Sequence, residues 1–277
     1  MPRPLLAALM LNLLIPGLLS AADEPLKAEI LHTPTGVRYG IWPQKPEQPA
    51  PTLFIFAGGM EDALNTDYFR QSGNQLAKQG YLCVSVDLPC HGQEVRAGEP
   101  AGIDGWRARG EQGEDFVAEA TGRFQLVLDD LIARKLTDPE KIAACGTSRG
   151  GFMAVQFAAA DSRIKAAAAF APVTDLMQLR EFASTEKRDF FDTLSLHKQA
   201  KRLAGRAVWL IIGDRDDRVS TDASITFCRA VTLASLKQEK PALVDLHIVS
   251  EPQGHTTPKG AAEAAAVWIA AQLGTAE

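Results

Sequence analysis

The chain has 277 residues, 46% of them hydrophobic and 23% charged, with a formal net charge of −5. That length buries a substantial core and suits one large α/β domain or two small ones. The acidic balance supplies no basic field for nucleic acid or an anionic membrane, and no repeat or low-complexity tract points to a scaffold.

The first 22 residues read as a secretory leader. Arg3 precedes an apolar stretch from Leu5 to Leu19, and small residues follow at Ser20, Ala21 and Ala22. Ser20 and Ala22 then occupy the −3 and −1 positions of a cleavage site, so the mature chain is expected to begin at Asp23. The run is short for a membrane span and is interrupted by Asn12, Pro16 and Gly17, so no stable membrane association is expected after cleavage. A secreted or periplasmic location follows.

From residue 26 the elements come in order. "LKAEILHT" and "GVRYGIWP" alternate apolar and polar residues and read as a leading hairpin, with the proline-rich 43–51 as a loop. Residues 51–59, 81–89, 141–146, 164–173, 207–214 and 244–252 are the strand candidates, and most are nearly continuous apolar runs, the pattern of strands covered on both faces. Helical segments are expected at 67–79, 116–135, 149–160, 222–236 and 258–273. Such alternation specifies a parallel sheet with right-handed crossovers. Two stretches break the rhythm: the glycine-rich and charged loop 90–115, and 174–203, which reads as a small helical cap. Both follow the carboxyl ends of strands, where open α/β sheets bind ligands. The four cysteines, 83, 90, 145 and 228, form no Cys-x-x-Cys pair and read as buried thiols.

Gly146-Thr147-Ser148-Arg149-Gly150 is a Gly-x-Ser-x-Gly sequence between a strand and a helix. It has the features of a nucleophile elbow, where the serine takes a strained turn and the flanking glycines make room for neighbouring backbone. A hydroxyl needs a base. His32 and His247 lie within strands and His197 in the cap, whereas His255 follows the last strand after Gly254. The imidazole needs a carboxylate in turn. "LIIGDRDDRVS" offers Asp214, Asp216 and Asp217; Asp216 is preferred for its Gly-x-x-Asp-x-x-Val frame with Gly213 and Val219. The order Ser148, Asp216, His255 is that of the α/β-hydrolase triad.

Further motifs carry the same resemblance. "DPEKIAACGTSRGG" resembles the lead-in to the elbow, "VDLPCHGQE" a loop in which Cys90 replaces a glycine, and "LFIFAGGM" the turn that supplies an oxyanion hole. From about residue 26 onward the chain resembles the α/β-hydrolase superfamily. It is most similar to the branch shared by dienelactone-hydrolase-like esterases and prolyl-oligopeptidase catalytic domains. The resemblance implies a mostly parallel eight-stranded sheet with helices on both faces and a small helical cap. It also implies an oxyanion hole from the N–H of Arg149 and one from the Gly58-Gly59-Met60 turn, with Gly59 preferred; Ala57 stands where the family usually has a histidine. The Arg149 side chain either pairs with a scaffold carboxylate, which the abundant acidic residues favour, or reads a substrate carboxylate.

The expected function is a secreted serine hydrolase that cleaves small carboxylic esters and needs no cofactor or metal. The stretch between leader and Gly58 is too short for the propeller that peptidases of this branch carry. A serine peptidase of the prolyl-oligopeptidase type and a non-catalytic binding protein are the alternatives. Haloalkane-type chemistry would need a carboxylate at position 148.

Overall fold

In the computed structural model, which describes residues 27–276, Phe54 and Phe56 face one side of a sheet while Leu53 and Ile55 face the other. This is the strand period of two, and both faces are apolar because both are covered. The leader expected at 1–22 lies outside the described residues.

Eight strands form the sheet: β1 (Glu29–His32), β2 (Arg38–Trp42), β3 (Ala50–Phe56), β4 (Leu82–Ser85), β5 (Thr137–Thr147), β6 (Ile164–Phe170), β7 (Ala207–Gly213) and β8 (Val244–Val249). Their order is β1-β2-β4-β3-β5-β6-β7-β8. β1 and β2 pair antiparallel, as does β2 with β4, and every other neighbouring pair is parallel. The mostly parallel eight-stranded sheet matches the fold class expected from the sequence. The chain leaves β3 toward β4 and then returns past β3 to β5. The carboxyl ends of β3 and β5 therefore flank a reversal point, where a crevice opens.

One core contains Phe54, Phe56, Phe124, Phe152 and Phe157 and seats the helices Phe116–Ala133, Arg149–Ala160 and Thr221–Lys237. The other contains Met60, Leu64, Leu76 and Ile269 and seats Met60–Asn65 and Ala261–Gln272. Each fully buried Phe or Leu contributes about 1.5–3 kcal/mol. β6 is a run of alanines, which lets the helix Arg149–Ala160 approach closely: a Cβ on Gly151 would lie 3.2 Å from the Ala169 Cβ. Among the described residues no helix is long and apolar enough to cross a membrane.

Several boundaries differ from expectation. The helix expected at 67–79 is three short pieces, broken at Gln71, whose φ is 48°. The strand expected at 81–89 stops at Ser85, and Asp87 turns instead toward the loop after β3. Loop 90–115 contains a helix, Gly102–Glu111, whose buried Trp106 donates its indole N–H to Pro89 O at 2.6 Å. Residues 174–203 fold into short helical turns around Phe182, Phe191 and Leu196. They are tied to the helix Arg149–Ala160 by Gln156 Nε2, which donates to Leu194 O at 2.6 Å.

Candidate active site

Ser148 separates β5 from the helix Arg149–Ala160, at φ 55° and ψ −115°. A side chain held at positive φ costs about 1–3 kcal/mol, strain of the kind that concentrates at functional sites. The flanking glycines are steric requirements. A Cβ on Gly150 would lie 1.9 Å from Phe56 O, and one on Gly146 would lie 2.4 Å from the Gly150 carbonyl carbon. β3 and the helix start are thus packed backbone to backbone, which lifts Ser148 to the carboxyl edge of the sheet. Its N–H donates to Phe170 O at 2.8 Å, and its carbonyl accepts from Phe152 and Val173.

β7 and β8 deliver the other two side chains. His255 Nδ1 donates to Asp216 Oδ2 at 2.8 Å, and Ser148 Oγ donates to His255 Nε2 at 3.0 Å. The carboxylate can only accept, so it fixes the imidazole proton on Nδ1 and leaves the Nε2 lone pair facing the hydroxyl. Asp216 is 2% exposed, and its Oδ1 accepts from the N–H groups of Arg218 and Val219, each at 3.1 Å. Asp214 and Asp217 are exposed; Asp214 accepts from the Glu251 N–H at 2.9 Å. Of the remaining four histidines, His32 lies in β1, His247 in β8 against Trp209 and His197 beside Asp192, while His91 lies beside Gly58 and bonds Pro89 O rather than Ser148.

The turn after β3 brings Gly58, Gly59 and Met60 to the same edge. Met60 gives its N–H to Asp87 Oδ1 at 2.7 Å, so within the turn expected to supply the second oxyanion donor its N–H is already committed. Arg149 is the first residue of its helix and its N–H has no intrahelical acceptor. Asp87 also accepts from Gln93 N at 3.1 Å and from Arg38. Gly92 must be a glycine here, since at φ 53° its Cβ would lie 2.3 Å from Asp87 Oδ1. Cys90, which stands where the resembled loop has glycine, adopts φ 61°, a conformation glycine takes freely.

Beside this turn lies a cavity of about 550 Å³ lined by Gly58, Gly59, Asp62, His91, Gly102 and Arg149, among others. His91 Nδ1 donates to Pro89 O at 2.8 Å, and burial together with the nearby Arg149 pushes its pKa down to about 4, so the ring is neutral. Arg149 Nε donates to Ala57 O at 3.1 Å, and among the described residues no carboxylate pairs with it. The scaffold ion pair considered from the sequence is therefore not made. Across the site Arg218 Nη2 donates to Glu181 Oε1 at 2.8 Å, which ties the loop of Asp216 to segment 174–203. Asp87, Arg218 and Glu181 were not singled out by sequence reasoning. Asp87 stands in the "VDLPCHG" stretch already noted, whereas Arg218 and Glu181 give no local signal. All four cysteines are free and buried, and burial pushes the Cys83, Cys90 and Cys228 thiols up to about 12.

An eight-stranded, mostly parallel sheet with a strained serine between strand and helix defines an α/β-hydrolase. The profile of the prolyl oligopeptidase family matches residues 114–273, more than half of the chain, and the chain belongs to that family. That family is of the serine-hydrolase type. Among solved structures the chain is similar to TT1662 from Thermus thermophilus, at 19% identity and TM-score 0.65 over 89% of this chain and 98% of that one. Dipeptidyl peptidase 4 of Porphyromonas gingivalis matches at 17% identity and TM-score 0.63, over 88% of this chain and 35% of the peptidase. An acetyl xylan esterase from Paenibacillus sp. R4 matches at 20% identity and TM-score 0.61, over 90% of this chain and 86% of the esterase. The chain thus spans about a third of the peptidase's length and most of the esterase's. At these identities the likeness is one of fold. No curated protein matches the sequence.

Proposed function

We propose that the chain is a serine esterase that hydrolyses small carboxylic esters through an acyl-enzyme. The carrying observation is the hydrogen-bonded run from Ser148 through His255 to Asp216 at the reversal point of the sheet. In this reading Ser148 Oγ attacks the ester carbonyl while its proton passes to His255 Nε2. Asp216 holds the ring and offsets the charge it gains. The carbonyl oxygen, now an anion, accepts from the N–H groups of Gly59 and Arg149; each such donor is worth about 3 kcal/mol in the transition state. The protonated His255 then gives its proton to the departing alkoxide, and the C–O bond breaks. Water enters, loses a proton to His255 and attacks the acyl carbon; His255 returns that proton to Ser148 Oγ as the acyl–oxygen bond breaks, which releases the acid and regenerates Ser148.

Three considerations support esters over amides. An alkoxide leaves with less assistance than an amine, so an open site suffices. The cavity beside the oxyanion turn is of small-molecule size. An acetyl xylan esterase is among the similar structures and is matched over most of its length. We further propose that the chain is exported after removal of residues 1–22, on the strength of the leader's order of Arg3, apolar run and small residues.

The test is specificity and labelling together. Wild type should hydrolyse 4-nitrophenyl acetate and butyrate and be labelled by a fluorophosphonate at Ser148, while Ser148→Ala does neither. A specificity constant for an aminoacyl or prolyl amide that equals the best ester would transfer the reading to a peptidase. Full labelling of Ser148→Ala would remove Ser148 as the nucleophile.

A further inference from the structure

The basic side chains lining the cavity beside Gly58 and Gly59 are Arg38, His91 and Arg149. Arg38 is held by Glu61 and Asp87. His91 is neutral, with its one ring N–H on Pro89 O. Arg149 alone of the three is charged without an ion pair among the described residues. A guanidinium presents about five N–H donors in a planar fork, and the bond from Nε to Ala57 O uses one of them.

The charged groups around it do not fill that role. Arg218 repels it and is itself engaged by Glu181, and Asp62, exposed on the rim, makes no ion pair among the described residues. Partial burial and Arg218 both draw the Arg149 pKa down, so the folded chain carries an unfavourable charge here. Nothing in the elbow requires it. The turn needs glycine at 146 and 150 and uses only the backbone N–H of residue 149. The neighbouring loop, by contrast, accommodates the side chain: a Cβ on Gly58 would lie 3.3 Å from Arg149 Nη2, so glycine there lets the guanidinium lie against the turn. A half-buried cation with free planar donors, one residue from the nucleophile and facing a cavity, is a receptor for a planar anion.

We infer that Arg149 anchors a carboxylate carried by the substrate, so that the esters this site takes are acidic ones. This rests on the reading of Ser148 as the nucleophile. Because the guanidinium lies against the Gly58-Gly59 turn that supplies the oxyanion donor in that reading, the carboxylate sits a few bonds from the scissile carbonyl, on either the acyl or the alcohol side.

Two matched pairs of esters test it and separate those sides. 4-Nitrophenyl hemiglutarate against 4-nitrophenyl pentanoate places the acid on the acyl side. 4-Acetoxybenzoate against 4-methylphenyl acetate places it on the alcohol side. In one pair wild type should favour the acidic member in kcat/KM by about tenfold or more, the return on a charge-assisted hydrogen bond. The ratio should fall to unity or below in Arg149→Met and be partly kept in Arg149→Lys, whatever happens to absolute rates. Should Arg149→Met fold poorly, wild type supplies a second measurement: glutarate, and not glutaramide, should slow fluorophosphonate labelling. An acidic preference that survives in Arg149→Met overturns the assignment. So does equal or poorer turnover of both acidic esters without protection by glutarate, and that result leaves the esterase reading standing. Failure to hydrolyse any of the four esters, with no labelling, overturns both.

Discussion

The backbone N–H of Met60 donates to Asp87 Oδ1 at 2.7 Å, and through this bond the loop after β4 holds the turn after β3. Asp87 is 5% exposed, and its other acceptor positions go to Gln93 N and Arg38, so its placement is determined from three directions. Asp87→Ala should therefore loosen the Gly58-Gly59 turn and leave Arg38 with Glu61 alone. The expected effect on the best ester is a fall in kcat of about 10²-fold, the scale of losing one oxyanion donor. KM should move less, because the turn acts on charge that appears only in the transition state. Steady-state kinetics beside a melting curve check this. A wild-type kcat in a folded variant would mean that other contacts suffice to hold the turn.

Asp216 differs from its neighbours in burial and in what it touches. Asp216→Asn keeps the shape but offers a donor where only an acceptor fixes the correct imidazole tautomer, which costs on the order of 10⁴ in kcat in a well-studied triad. Asp214 and Asp217 are exposed, and His255 Nδ1 bonds Asp216 rather than either of them. Asp214→Asn and Asp217→Asn should stay within about threefold of wild type, as surface changes do. Comparable losses in all three would identify the loop as a whole, rather than one carboxylate, as what His255 needs.

Ser148 carries its strain in the backbone, at φ 55° and ψ −115°. Glycine adopts such angles without a Cβ penalty, so Ser148→Gly should be inactive and yet more stable than wild type by about 1 kcal/mol. For a domain of this size that is a rise of about 2–4 °C in Tm. Ser148→Ala keeps the Cβ and should gain little. Calorimetry of the three proteins distinguishes them, and a Gly variant that melts below the Ala variant would show that the elbow is not strained.

These contrasts also explain what the sequence could reveal. Ser148, Asp216 and His255 were legible because each follows an apolar strand run, and the glycines at 146, 150, 213 and 254 mark the turns. Strands β3 and β5 to β7 were legible for the same reason: a run buried on both faces has a local signature. The edge strand β8, expected to be covered on both faces, keeps no residue fully buried, because it has a neighbour on one side only. Other features depend on partners distant in the chain. Asp87 acts on Met60, and Arg218 on Glu181, with nothing in either neighbourhood to announce the pairing. The break at Gln71 is of this kind too. Its side chain reaches Tyr68 O at 2.6 Å and Thr147 at 3.2 Å, so a tertiary contact overrides a helical pattern. Helix Gly102–Glu111 was hidden by its glycines, which helix propensity disfavours. Gly105 and Gly110 are there because Cβ atoms would meet Cys90 at 2.5 Å and Phe191 at 2.2 Å.

His91 gives the fold a pH dependence whose sign can be worked out. Its pKa is pushed down to about 4 by burial first and by Arg149 second. In the unfolded chain an ordinary histidine titrates near about 6.5. Above that value both states are neutral at this ring and it adds no pH dependence. Between about 6.5 and about 4 the unfolded chain binds a proton that the folded chain excludes, so stability falls as pH falls across that window. His91→Asn places an amide donor where Nδ1 bonds Pro89 O and does not titrate. The stability of wild type relative to this variant should be constant from pH 8 to about 6.5 and shrink progressively toward pH 4. Carboxylates such as Glu99, held down to about 2 by Arg109, also destabilise the fold in acid, but they are common to both proteins and cancel in the difference. Denaturant melts of the pair at half-unit pH steps measure it. A difference that stays flat down to pH 4 would mean that His91 accepts its proton in the folded chain as readily as in the unfolded one.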